Sequence, residues 1–120
     1  ILCHDASTKK FLGYTKIGRV SIGDNVFIGA ETVVLPGVHI GSNVVIGANS
    51  TVTHDIPDNS VAFGTPARVY SSLDQYVEKE RERMSKSPQY GRRYTLGGNI
   101  TMELKMKQRE DLKKGIGYIV

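Results

Sequence analysis

The sequence predicts a mainly-β protein: a triangular coil of short parallel strands over residues 1–70, followed by a helical extension with loops over 71–120. Three observations predict it. An aliphatic residue returns at every sixth position from Ile22 to Val52. Gly follows it at Gly23, Gly29, Gly41 and Gly47, with Asn or Asp close behind in most blocks. After Val69 that register stops and helix-like spacing with mixed charge takes over. Neither the helical period near 3.6 nor the strand period of 2 generates a repeat of six, so the period points to a repeat architecture.

Written in sixes from Ile22, the blocks are IGDNVF, IGAETV, VLPGVH, IGSNVV, IGANST and VTHDIP. The first position is Ile22, Ile28, Val34, Ile40, Ile46 and Val52; the fifth is Val26, Thr32, Val38, Val44, Ser50 and Ile56. The fifth residue of one block and the first of the next are two apart, so both face the same side of a short strand. The intervening Gly, Asn and Asp supply turns, where positive φ and backbone crowding favour such residues. Three strand–turn units make one triangular coil. Six blocks therefore make two coils, and the flanking residues begin a third and close the last. Each Ile or Val placed inside the prism contributes roughly 1.5–3 kcal/mol, enough for a few coils to offset their ordering entropy.

Bulk properties bound the function. The chain has 120 residues, 13 Gly, no Trp and 39% hydrophobic residues, consistent with one modest, turn-rich domain and an appendage. A net charge of +4 and a pI near 9.3 suit an anionic ligand without demanding nucleic acid, which is not expected as a partner. No apolar run is long enough for a membrane span, and the start shows no signal-peptide pattern. The single Cys3 excludes an internal disulfide and, with a reducing compartment, points to the cytoplasm. Cys3 itself is expected as a small buried apolar residue. The first residue is Ile1 rather than Met, which suggests a fragment or a processed chain.

The strings HDASTKKFLGYTKIG, IGDNVFIGAETVVLPGVHIG and IGANSTVTHDIPDNSVAFGTPARV resemble the catalytic half of hexapeptide-repeat acyltransferases of the sugar and polysaccharide O-acetyltransferase type. The resemblance covers Cys3 to about Val69, and Val52–Arg68 with His4 upstream is its most specific part. It implies a left-handed parallel β-helix, a hexapeptide-repeat solenoid whose handedness departs from the usual right-handed crossover. It implies acetyl-CoA as co-substrate, a homotrimer with sites between subunits, and no metal.

Acetyl transfer to a hydroxyl needs a base for the hydroxyl proton, donors for the thioester oxyanion, and a surface for the long carrier. Imidazole suits the base role. The resemblance assigns that role to His4, which stands just before a register-breaking polar stretch read as a loop over Asp5–Thr15. Asp5, where many relatives have Pro, is placed either to orient the ring or to make a turn, and is read as a turn residue. For the donor, the resemblance implies a groove beside the coils using backbone groups of Ala30 and Ala48, then Thr53. It places Phe27 near the reacting end and His54 beside the coenzyme phosphates, where relatives usually carry Lys. Arg68 is placed at the adenine–ribose phosphate end. The Ala30 side chain cannot donate a hydrogen bond, so an oxyanion donor there must be backbone N–H. His39 follows inward-facing Val38 and is read as surface.

In the extension, Ser72 is placed to cap a helix with Leu73, Tyr76 and Val77 on one face. SPQYGRRYTLGGN is loop-like. Thr101 caps a second helix, Met102 to Lys114, stopped by Gly115, and GYIV is an edge strand. The charged clusters read as solvated faces. The leading function is transfer of an acetyl group from acetyl-CoA to a hydroxyl of a sugar or glycan precursor through a ternary complex. An N-acetyltransferase for an amino sugar differs only in acceptor. A non-catalytic β-helix assembly subunit would need neither His4 nor TPARV. A γ-carbonic-anhydrase-type zinc hydratase would need two His five residues apart, a pair this chain lacks.

Overall fold

Residues 1–120 are described by a computed structural model. Strands β1 (His4–Asp5) and β2 (Lys16–Ile17) pair antiparallel, and between them the chain makes a short helix, α1 (Lys9–Leu12). The polar stretch after His4 is therefore a hairpin excursion, closed at its far end by Gly13 in the left-handed region at φ 76°. Its tip exposes Phe11, Leu12 and Tyr14.

The repeat follows as β3 (Ser21–Ile22), β4 (Val26–Ile28), β5 (Val33–Val34), β6 (His39–Ile40), β7 (Val44–Ile46) and β8 (Thr51–Val52). These pair as three parallel ladders: β3 with β6, β4 with β7, and β5 with β8. Partners such as Asn25 and Asn43 are 18 residues apart, so the chain returns to each ladder after three blocks. β9 (Ser60–Gly64) extends the β4–β7 ladder in parallel, and Ile40 bridges to Ile56. Here the return is 16 residues, as between His39 and Asp55. β10 (Ala67–Ser72) then turns back antiparallel on β9 and ends the parallel register.

The aliphatic column is the core. Val34, Ile40, Ile46 and Val52 are 0% exposed, while Ile22 in the first coil is 37% exposed. The fifth positions Val38, Val44, Ser50 and Ile56 are buried as well. Inward placement thus holds for both positions; Ile22, Val26 and Ile28 are less covered than their partners Ile40, Val44 and Ile46, whereas Val34 is already closed.

The turn chemistry divides between two residue types. Positive φ falls on Asn25, Glu31, Asn43, Asn49 and Asn59, not on the glycines after the aliphatic residues. Those glycines answer to crowding alone: a Cβ on Gly29 would run into the backbone of Ala48 in the next coil, and one on Gly41 into Asp58. The Asn side chains also stack. Asn25 Nδ2 donates to Asn43 Oδ1 at 2.9 Å, and Asn43 Nδ2 to Asn59 Oδ1 at 3.2 Å. Cys3 differs from expectation: it is exposed, at the residue before β1.

Two units divide the chain, Ile1–Tyr76 and Val77–Val120, with the boundary inside α2 (Leu73–Ser85). Ser72 caps α2 as expected: its Oγ accepts from Gln75 N–H, and Gln75 Oε1 accepts from Ser72 N–H, both at 3.2 Å. In the second unit the loop-like stretch contains β11 (Gln89–Tyr90), which pairs in parallel with β12 (Tyr118–Ile119) in GYIV. Thr101 caps α3 (Met102–Asp111), which passes into a 3₁₀ turn at Leu112–Lys114 before Gly115. Buried Tyr90 donates to Asp111 Oδ2 at 3.3 Å, and Lys107 holds the same carboxylate at 2.8 Å. No helix is long and apolar enough to cross a membrane.

Candidate active site

His4 sits on β1 opposite Ile17 of β2 and is exposed. Its strand is tied to the coils from below. Leu2 N–H donates to Val34 O at 2.9 Å, and Gly18 N–H donates to Cys3 O at 3.0 Å. Leu2 therefore lies above Val34, which pairs with Val52, so the hairpin rises from the third ladder. The loop sequence has no sixfold register because it is an insertion between two positions of a coil.

Asp5 occupies the next rung, opposite Lys16. Its Oδ1 accepts the Ser7 N–H at 2.8 Å, which makes it the turn residue expected. Its Oδ2 pairs with Lys16 Nζ at 2.5 Å. The Lys16 ammonium, then the Ser7 amide, hold the Asp5 carboxyl down at about 2. Sequence reading missed the Lys16 contact; the available signal was that Asp5 and Lys16 flank the same excursion with opposite charge.

Of the donor-side residues, Ala30 and Ala48 are stacked at one corner in successive coils. Both are exposed, and Asn49 N–H donates to Ala30 O at 2.8 Å. The missing Cβ of Gly29 is what lets these corners approach. Further along this corner, Thr65 Oγ1 lies 3.3 Å from Thr51 Oγ1. Thr53 and His54 follow β8, and Thr53 Oγ1 lies 2.8 Å from His54 Nδ1. His54 is exposed, and its Nε2 makes no hydrogen bond within the chain. Arg68, exposed on β10 opposite Phe63, spends one guanidinium N–H on Ala67 O at 3.2 Å and retains the others.

Phe27 lies on the outer side of the β4–β7 ladder, opposite Val45, and is 64% exposed. A groove of about 300 Å³ opens on that face between Phe27, Val45 and Leu73, rimmed by Asn25 and Asn43. No hydrogen bond joins His4 to Phe27, Ala30, Ala48, Thr53, His54 or Arg68 within the chain. His39 is exposed as expected, and its Nδ1 lies 2.7 Å from Ser21 Oγ in the preceding coil. That partner was not read from the sequence, although Ser21 and His39 are one coil apart.

The geometry defines a hexapeptide coil with an imidazole on a hairpin at its head. Residues 19–54 match the family described as bacterial transferase hexapeptide (six repeats). The matched segment carries the six aliphatic repeat positions from Ile22 to Val52. Relatives include Protein CapG of Staphylococcus aureus, 49% identical over 71 residues, 59% of this chain and 41% of that protein. The galactoside O-acetyltransferase of Lactococcus lactis subsp. lactis (strain IL1403) is 65% identical over 56 residues, 47% of this chain and 27% of the enzyme. A solved galactoside acetyltransferase in complex with coenzyme A is similar at 47% identity and a TM-score of 0.51, over 53% of this chain and 32% of that one. The chain thus spans less than half the length of the curated relatives it matches.

Proposed function

We propose that this chain carries the catalytic part of an acetyltransferase that moves an acetyl group from acetyl-CoA to a hydroxyl of a sugar or glycan precursor. The observation that supports this most is identity to galactoside acetyltransferases, one of them a coenzyme A complex, through the segment that holds the repeat. The coils wind left-handed on this reading, residues 1–70 form the acyltransferase domain, and residues 71–120 form the extension. The protein works in the cytoplasm as a homotrimer. Each site takes His4 from one subunit and the donor groove from its neighbour.

His4 accepts the acceptor's hydroxyl proton as the oxygen attacks the thioester carbonyl. The C–O bond forms, the carbonyl π electrons become an oxyanion, and a backbone N–H at the Ala30–Ala48 corner steadies it. Collapse breaks the C–S bond, and the imidazolium returns its proton to the departing thiolate. Thr53 and the backbone at Ala30 and Ala48 hold the pantetheine arm, Phe27 flanks the reacting end, and His54 and Arg68 meet phosphates. Exposure of His4 on the hairpin, with no side-chain partner, supports a role toward a ligand rather than toward the fold.

His4→Ala tests this. Turnover of a galactoside acceptor should fall at least about a hundredfold, while calorimetry shows unchanged acetyl-CoA binding. Near-normal turnover removes His4 from the base role. Absence of donor binding in the unmodified protein removes the enzyme reading altogether.

A further inference from the structure

We propose that Asp5 and Lys16 are positioning residues for His4: their ion pair closes the neck of the hairpin and thereby holds the imidazole in place. The inference rests on the base role proposed for His4 and adds two residues to it.

The hairpin has only two rungs, His4 opposite Ile17 and Asp5 opposite Lys16. The inner end is fastened by backbone, through Gly18 N–H to Cys3 O and Leu2 N–H to Val34 O. The outer end opens directly into the ten-residue excursion from Ala6 to Thr15. Packing within the chain does not hold the His4 rung, because His4 is exposed and Ile17 opposite it is 83% exposed. What remains at the outer end is polar. The Asp5 carboxylate points one oxygen across the neck to Lys16 and the other forward to the Ser7 amide. It joins the two strands and starts the turn at once.

Beyond the neck the excursion is closed on itself. Lys9 N–H donates to Ala6 O and Leu12 N–H to Thr8 O, and Thr8 Oγ1 donates to Tyr14 O at 2.8 Å. A self-contained loop on a two-rung stem pivots at the stem. The rung next to the pivot is the one that carries His4. Reacting groups displaced by an ångström can lose about a hundredfold in rate. An exposed ion pair adds little to global stability, so losing this one should free the neck while the coils stay folded.

The test combines kinetics and geometry. Asp5→Asn and Lys16→Met should each lower kcat about tenfold, with KM for acetyl-CoA unchanged. Lys16→Arg should restore kcat, and the exchanged pair Asp5→Lys/Lys16→Asp should recover more than the two single exchanges combined. In the same proteins, nuclear Overhauser contacts between His4 and Ile17 should weaken in Asp5→Asn and Lys16→Met and persist in Lys16→Arg. Normal kcat in both charge-removing variants, or undiminished His4–Ile17 contacts in them, overturns the positioning role. His4→Ala in parallel separates the two ideas: full turnover there sinks the base reading, whereas an inactive His4→Ala beside unaffected Asp5 and Lys16 variants sinks only the clasp. The Overhauser measurement judges the geometry independently of turnover.

Discussion

Two isoleucines at equivalent repeat positions give the sharpest test of the column. Ile22 and Ile40 are partners across the β3–β6 ladder, yet Ile40 is 0% exposed and Ile22 is 37% exposed. Truncating either to Ala removes three carbons, worth about 2.5 kcal/mol of transfer free energy when fully buried. At Ile40, coils lie on both sides, with Ile22 in one and Ile56 in the other. The space cannot collapse, and the total should reach about 3–4 kcal/mol. At Ile22 about two thirds of the transfer term applies, and the gap opens to water, so the cost should be roughly 1–1.5 kcal/mol. The difference, about 2 kcal/mol, corresponds to about 1 M in urea midpoint at an m-value near 2 kcal/mol/M. Urea unfolding followed by circular dichroism reads this, at fixed protomer concentration because association shifts apparent stability. Coincident curves for Ile22→Ala and Ile40→Ala would refute the claim that cover grows from Ile22 to Ile40 along this ladder.

The Asn stack offers a second test. Asn43 has φ 56° and stands between Asn25 and Asn59, so Asn43→Ala should cost about 1–2 kcal/mol from the left-handed backbone alone. Asn43→Gly removes only the side-chain bonds and should cost less; equal midpoints for the two would show that φ is not the reason. Arg68→Ala should raise KM for acetyl-CoA about three- to tenfold with kcat unchanged, and an unaltered KM would remove Arg68 from the donor site. For Asp5, the folded carboxyl lies at about 2 against an ordinary 3.8. A depressed acid stabilises the neck above the ordinary value and loses that contribution as pH falls through the folded one. The Ser7 amide proton resonance should therefore titrate with a midpoint near about 2. A midpoint near the ordinary value would mean that the clasp does not form.

The column was legible in the sequence because inward residues must be aliphatic and the period fixes which ones they are. The 18-residue return was legible too, since three blocks make a coil; the Ser21–His39 contact follows that return but was not read from it. The exposure of Ile22 was not, since cover depends on what stacks above a coil and not on the coil's own residues. The division between Asn and Gly was hidden because both types suit turns, and only backbone geometry separates positive φ at Asn43 from crowding at Gly29. Burial of Cys3 was expected from the habits of its residue type, which do not decide the exposure of a single position. In the extension, Ser72 and Thr101 announced their helices because capping is local. β11 left no signal: two residues show no alternation, and their partner lies far along the chain.

The same contrast bears on the proposed site. Ala30 and Ala48 sit at corners set by buried residues and by glycines that admit no side chain, so their spacing is locked to the coil. His4 sits outside the repeat, on a stem that two rungs and one ion pair hold. On the proposed roles, a fixed donor side and a separately mounted base make two failure modes. Damage to the corners should appear in acetyl-CoA binding, and damage to the stem in turnover. One substitution in the column, such as Ile46→Ala beneath the Ala48 corner, should therefore weaken donor binding before it alters kcat, whereas Lys16→Met should do the reverse. If both variants changed both constants in proportion, base and groove would move as one body, and the hairpin would have to be anchored by contacts other than its neck.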